Sequence, residues 1–215
     1  MIKIAPSILA ADLLNMGEEV MNVDKAGAEF IHIDIMDGHY VTNISFGSNI
    51  VKNLRPITQK ILDVHLMIKP VLNYIPEFIK AGADIISFHP ECDSNSDEII
   101  SMIKTAGCKV GIAIHPNKEI EDFTQFFKEI DQVIVMTVVP GYGGQIFLQD
   151  QVYKIKKLKE IRELNKYKFK IEVDGGINDQ TSKLCAINGA DILVAGSYIF
   201  GSLEKDYKNL IESLR

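Results

Sequence analysis

The chain has 215 residues, of which 47% are hydrophobic and 24% charged, with a mean hydropathy of +0.07 and a pI near 5.4; this is the ordinary soluble globular range, outside the disordered and fibrous classes. Its formal charge of −6 leaves no basic surplus to attract a nucleic-acid backbone or an anionic membrane. No stretch approaches the roughly 18 consecutive apolar residues of a bilayer span, and the β-branched start does not read as a signal peptide. Cys92, Cys108 and Cys185 are odd in number and form no Cys-x-x-Cys pair, which fits reduced thiols in a cytoplasmic protein.

Taken in chain order, short β-branched runs predict strands over residues 3–8, 29–35, 61–67, 85–89, 109–114, 132–137, 170–174 and 192–195. Helical spacing follows each of them, over 13–26, 47–54, 71–81, 96–105, 120–130, 148–163, 179–188 and 205–214. Ala26-Gly27-Ala28-Glu29, Ala81-Gly82-Ala83-Asp84 and Asn188-Gly189-Ala190-Asp191 repeat one helix-ending phrase, with glycine where a left-handed C′ residue is favoured. The alternation has no Ser-, Pro- or Gly-rich linker, so repeated βα units predict a single-domain α/β protein, a closed (β/α)8 TIM barrel over residues 1–215. The competing topology, an open doubly wound sheet, lacks the GxGxxG expected after its first strand.

In such a barrel the chemistry sits at the C-terminal strand ends. The second strand reads Ile31-His32-Ile33-Asp34-Ile35-Met36, and side chains repeat every two residues. His32, Asp34 and Met36 therefore share the inner face while the isoleucines pack beneath the helices. The third strand offers Asp63-Val64-His65 and the seventh Glu172-Val173-Asp174. Either His motif alone reads better as a hydrogen-bonded core histidine. Convergence of His32, Asp34, His65 and Asp174 from three strands points instead to a divalent cation. The same parity places Asp63 and Glu172 one layer deeper, with Lys3 below Ala5 and Ser7, and predicts an interior ion-pair network. Met36, Met67 and Met136 would form an apolar collar or serve as plain core packing.

The sixth strand leads into Val139-Pro140-Gly141-Tyr142-Gly143-Gly144-Gln145, a loop whose bare backbone N–H groups suit close approach of an anion. Gly175-Gly176 after strand 7, and Gly196-Ser197 ahead of a short turn over 198–200, stand where this fold usually holds a phosphate. A cation beside a phosphate cradle implies a small phosphorylated substrate. With Asp34 and Asp174 on opposite sides of the mouth, a proton could leave one face of a carbon beside a carbonyl and return to the other. No Ser-His-Asp, Cys-His, nicotinamide or flavin pattern stands out.

These motifs, together with Ile4-Ala5-Pro6-Ser7-Ile8-Leu9, Asp37-Gly38-His39-Tyr40 and Phe88-His89-Pro90-Glu91, resemble the ribulose-phosphate 3-epimerase family over nearly the whole chain. The resemblance implies interconversion of D-ribulose 5-phosphate and D-xylulose 5-phosphate on a ribulose-phosphate-binding barrel. It makes His32, Asp34, His65 and Asp174 metal ligands, Asp34 the proton acceptor and Asp174 the proton donor, with roles exchanged in reverse. Ser7, His65 and Asp174 become substrate contacts, and Gly141, Tyr142, Gly143, Gly144, Gly175, Gly176, Gly196 and Ser197 the phosphate loops. Zinc is implied as the metal, with iron, manganese or cobalt as substitutes, and a homo-oligomer as the assembly. Three departures stand out: Thr42 for proline, Val139 for asparagine ahead of Pro140, and His115 for asparagine ahead of Pro116. Val139 would remove a polar group near the phosphate. His39, His89 and His115 are given no ligand role, although His89 ends a strand where it could contact the site. The nearest alternative substrate is a six-carbon ketose phosphate such as D-allulose 6-phosphate. A metal-free barrel resembling the orotidine-phosphate decarboxylases would need a lysine among the acids, which the strand ends lack, and a non-catalytic barrel would not need both acids.

Overall fold

Eight strands, all parallel, alternate with helices in the computed structural model, which describes residues 2–215. The strands are β1 (Lys3–Pro6), β2 (Phe30–Met36), β3 (Ile61–Met67), β4 (Ile85–Phe88), β5 (Lys109–Ile114), β6 (Gln132–Met136), β7 (Lys170–Asp174) and β8 (Ile192–Ala195). The helices are α1 (Met16–Lys25), α2 (Ser48–Leu54), α3 (Ile75–Ala81), α4 (Ser96–Thr105), α5 (Val152–Asn165), α6 (Thr181–Asn188), α7 (Ser197–Phe200) and α8 (Tyr207–Ser213). Strand order runs β1-β8-β7-β6-β5-β4-β3-β2, and a parallel bridge between Ser7 and His32 joins the two end strands. The expected TIM barrel is therefore the observed one. No helix among the described residues is long and apolar enough to cross a membrane.

Departures from the expected bounds have local causes. β1 stops at Pro6 because the Ser7 side chain accepts from the Leu9 N–H and starts a 3-10 turn, Ile8–Ala10. The helix expected from residue 13 opens as a 3-10 turn, Leu13–Asn15, capped by Asp12, before α1 begins. The helix expected over 120–130 is a 3-10 segment, Ile120–Phe126, opened by a reciprocal cap between Glu119 and Asp122. Aromatic and β-branched residues there have weak α preference, and Ile120 and Phe123, three apart, are both buried, which is the 3-10 repeat.

Strand parity builds two layers. Ile31, Ile33 and Ile35 point outward into the main apolar layer under the helices. Ala5, Phe30, Ile85, Ile192 and Val194 form a small apolar floor inside the barrel, and His32, Asp63, Gln132 and Glu172 are buried as well. Lys3 does not join this interior network, as parity alone suggested. It is exposed at the N-terminal rim, with its ammonium 5.6 Å from the Phe30 ring. At the first residue of a strand water is within reach, and keeping the ammonium there avoids the desolvation cost of burial.

Gly111 fills an inner-face position between its paired neighbours Ser87 and Gln132. A Cβ there would lie 2.9 Å from Ser87 Cβ and 2.0 Å from its Oγ. Gly111→Ala should therefore destabilise the fold by about 1–3 kcal/mol through overpacking, and adding Ser87→Gly should recover most of the loss. Urea denaturation of both variants measures this.

Candidate active site

The register of β2 against β3 places His32 beside Asp63 and Asp34 beside His65. Because both strands carry His and Asp two residues apart, all four side chains face inward as two crossed pairs. β7 brings Asp174 to the same end of the barrel, beside Met136. His65 Nδ1 lies 3.2 Å from Asp34 Oδ1 and 3.6 Å from Asp174 Oδ2. His32 Nε2 lies 3.4 Å from Asp34 Oδ1 and 3.8 Å from Asp174 Oδ2. One ligand atom from each of the four residues falls within 4.8 Å of the others. Asp34 and Asp174 thus do not flank the mouth at a distance: only β8 and β1 separate their strands, and their oxygens converge.

This cluster could hold a divalent ion. His32 Nε2 is buried without a hydrogen-bond partner and faces two carboxylates, so a cation would satisfy its lone pair and offset their repulsion. Two imidazole nitrogens and two carboxylate oxygens are a donor set that divalent transition metals accept.

Supporting groups fix the ring and carboxylate orientations. His32 Nδ1 is 2.7 Å from Asp63 Oδ2 and 3.2 Å from Glu172 Oε1, and the Gln132 amide donates to Asp63 Oδ1 at 3.0 Å. A carboxylate behind an imidazole turns the other ring nitrogen toward the site. The Ser7 hydroxyl donates to Asp34 Oδ2 at 2.7 Å, leaving Oδ1 toward the imidazoles. Ser45 donates to the Asp34 carbonyl, and Thr137 donates to that of Asp174 at 3.0 Å. Sequence reasoning missed Gln132, Ser45 and Thr137. Gln132 had a usable signal, since it is a polar residue at an inner-face strand position.

The charges of the cluster act against its burial. Burial raises the Asp34 carboxyl, but the His32 and His65 rings outweigh it and hold Asp34 well below the carboxylate range. Burial likewise lowers both imidazoles, yet Asp34 and Asp63 raise His32, and Asp174 and Asp34 push His65 up to about 9. Glu172 is pushed up to about 8 by burial and by Asp63. A neutral Glu172 fits its two buried oxygens, neither of which accepts a hydrogen bond.

Above this cluster opens a cleft lined by Ser7, Asp34, Asp174, the Met36, Met67 and Met136 collar, residues 141–145, Gly175, Gly176, Gly196 and Ser197. His32 and His65 are fully buried and lie behind that lining, so His65 faces the cleft only past Asp34 and Asp174. Gly175 and Gly176 have φ of +120° and +65°. A Cβ on Gly176 would meet the Phe147 backbone at 2.7 Å, so no larger residue allows this approach of loop to loop. The Asn43 amide donates to the Gly141 carbonyl at 2.8 Å, tying the segment after β2 to the glycine-rich loop. The Gln145 amide braces that loop through the Val139 and Tyr142 carbonyls.

A family model described as the ribulose-phosphate 3 epimerase family matches residues 3–200. The chain is 46% identical over 216 residues to a ribulose-phosphate 3-epimerase of Bacillus subtilis, covering 100% of this chain and 99% of that protein. It is 40% identical over 214 residues to one of Escherichia coli K12, covering 99% and 94%. The chain belongs to the ribulose-phosphate 3 epimerase family. Solved structures share the fold at lower identity. 3-Keto-L-gulonate-6-phosphate decarboxylase from Vibrio cholerae superposes with a TM-score of 0.72 at 16% identity, covering 100% of this chain and 95% of that one. 3-Hexulose-6-phosphate synthase from Salmonella typhimurium gives 0.69 at 20%, covering 99% and 96%.

The three departures from the epimerase pattern leave the ligand cluster intact. Val139 is 55% exposed and does not line the cleft, so it removes no polar group from it. The Thr42 hydroxyl lies 3.5 Å from that of Tyr142, a contact across the cleft entrance. His115 Nδ1 accepts from the Asn117 N–H at 3.2 Å, and His115 stands outside the ligand group.

His65 and Glu172 give the metal-stripped protein a definite pH response. Both have folded-state values above their unfolded ones, so the folded chain binds more protons than the unfolded chain, and stability must fall as pH rises. His65 contributes this loss between its ordinary 6.5 and about 9, and Glu172 between its ordinary 4.5 and about 8. In chelator, urea denaturation should give steadily lower stability from pH 6.5 to 9; a flat or rising profile would contradict the assigned charge states.

Proposed function

We propose that the chain interconverts D-ribulose 5-phosphate and D-xylulose 5-phosphate by inverting C3. The observation that carries this reading is the convergence of Asp34, Asp174 and two imidazoles in one cleft with unobstructed glycine backbone. The names of the relatives support the same substrate pair. In this reading Asp34 accepts the C3 proton on one face, leaving an enediolate, and Asp174 returns a proton to the opposite face. In the reverse direction they exchange roles. The Ser7 hydroxyl, bonded to Asp34 Oδ2, keeps the carboxylate aimed while the proton moves and reaches the substrate from the cleft wall. His32, Asp34, His65 and Asp174 would hold one divalent cation, zinc first, with iron, manganese or cobalt as substitutes. That ion would supply a Lewis acid for the negative charge developing on the substrate oxygens.

Gly141, Tyr142, Gly143, Gly144, Gly175, Gly176, Gly196 and Ser197 would receive the phosphate through backbone N–H groups and the Ser197 hydroxyl. The three methionines would keep water from the reacting carbon. The whole of residues 1–215 would act as this one unit. The three free cysteines support a cytoplasmic setting, and the family resemblance supports a homo-oligomer.

Asp174→Asn should lower kcat for D-ribulose 5-phosphate by about 10²–10⁴-fold, the usual weight of a positioned acid or base, with an unchanged circular dichroism spectrum. Near-normal turnover would remove Asp174 from the proton transfer. The wild-type kcat/KM should favour the five-carbon substrate over D-allulose 6-phosphate, and the reverse preference would move the assignment to the six-carbon sugar.

A further inference from the structure

A line of polar side chains runs outward from the ligand cluster, and the proton transfers do not use it. His65 presents Nδ1 to Asp34 and Asp174, and its Nε2 lies 3.0 Å from His89 Nε2. His89 Nδ1 is 3.1 Å from the Tyr40 hydroxyl, which donates to Glu91 Oε1 at 3.0 Å. His89 is fully buried and sits between the two other rings, with centroids 5.1 Å from His65 and 4.7 Å from Tyr40.

The end of the line sets the direction of every link. An ionised carboxylate only accepts, so the Tyr40 proton points at Glu91. The Tyr40 oxygen is then the acceptor toward His89, which requires a proton on His89 Nδ1. Only one proton fits between two Nε2 atoms 3.0 Å apart; with its single proton already on Nδ1, the His89 ring presents Nε2 as a lone pair that accepts from His65 Nε2–H. That leaves His65 Nδ1 as the atom able to bind a cation. We propose that His89, Tyr40 and Glu91 form a positioning relay that holds His65 in the Nε2–H form with Nδ1 presented to the metal. The proposal deepens the reading of His65 as a ligand and rests on it.

The two ligand histidines are thereby set in opposite senses. His32 takes its carboxylate directly, through Asp63 at Nδ1, and offers Nε2. His65 takes its carboxylate through His89, whose Nδ1 faces both the Tyr40 hydroxyl and, at 3.7 Å, Glu91 Oε1, and offers Nδ1. A carboxylate in contact with His65 Nε2 would add another anion beside Asp34 and Asp174. The relay places Glu91 beyond His89, so it orders the proton positions with its charge farther from the cluster.

The decisive readout is the protonation pattern of His89 in the metal-stripped protein, from long-range ¹H–¹⁵N correlation spectra of histidine-labelled chain. The relay predicts a neutral His89 protonated at Nδ1, the minor form of free imidazole side chains, beside a His65 that keeps its Nε2 proton whether or not Nδ1, between Asp34 and Asp174, is protonated. His89 protonated at Nε2, or at both nitrogens, would overturn it. Tyr40→Phe combined with Glu91→Leu removes both acceptors at His89 Nδ1, the hydroxyl at 3.1 Å and the carboxylate at 3.7 Å, and should turn His89 into a mixture of forms; an unchanged Nδ1–H form would contradict the relay. Zinc affinity, by competition with a chromogenic chelator, should fall about 10–100-fold in His89→Leu, the usual cost of losing a ligand's outer partner. His89→Gln, whose carbonyl accepts from His65 and whose amide donates to Tyr40, should recover affinity to within a few-fold. Equal losses in the Leu and Gln variants would mean that His89 only fills space. Should His89→Leu fail to fold, Tyr40→Phe with Glu91→Leu at the partly exposed rim carries the same test. Failure of the wild-type chain to bind zinc would refute the cation reading instead, a result that the spectra of metal-stripped protein keep separate.

Discussion

Four carboxyl groups, Asp34, Asp63, Glu172 and Asp174, face the interior of one barrel, and among the described residues none of them forms an ion pair with a lysine or arginine. Their mutual repulsion is the constraint to which the rest of the site responds. The imidazoles of His32 and His65 stand between the carboxylates. Glu172 is pushed toward its neutral form, and Ser7 and Gln132 donate to the outer oxygens of Asp34 and Asp63. What remains uncompensated faces the cleft, at the orphaned His32 nitrogen and the converging oxygens of Asp34 and Asp174. A divalent cation at that place would convert the repulsion into a coordination set. The same arrangement would keep both acids within reach of one substrate carbon.

The barrel supplies the means. Parallel pairing of β2 and β3 without offset turns a His-x-Asp and an Asp-x-His sequence into facing pairs, and Ser7 and Ser45 brace Asp34 from the segments after β1 and β2. The loops carry the other half of the chemistry. Positive-φ glycines after β7 let two loops approach each other at the backbone, and Asn43 couples the entrance segment to the glycine-rich loop. In the proposed reaction, cation chemistry would fall to the strand ends and anion binding to the loop backbone.

Much of this was legible in the sequence, because it depends on parity. Inner and outer faces alternate by rule, so His32, Asp34, Asp63, His65, Glu172 and Asp174 could all be set inside from their numbering alone. Parity says nothing about depth, and there the reading of Lys3 failed: the inward face at the first residue of a strand is still solvent. Nor does it give distances around a closed barrel, so Asp34 and Asp174 were expected on opposite sides, whereas the barrel brings their oxygens together. The 3-10 segment Ile120–Phe126 was read as a longer helix because hydrophobic residues three and four apart fit both periods. The relay through His89 was hidden for a further reason. Its members come from three separate segments, and a buried histidine at a strand end carries no mark of which way its ring is turned.

The central claim, that two acids beside a metal cluster invert C3 from opposite faces, is tested most directly by turning over D-ribulose 5-phosphate in deuterated water with and without a chelator. The account predicts xylulose 5-phosphate carrying deuterium at C3, with turnover lost on metal removal and restored by added zinc or cobalt. Product without deuterium at C3, or undiminished turnover in metal-stripped protein, would contradict it.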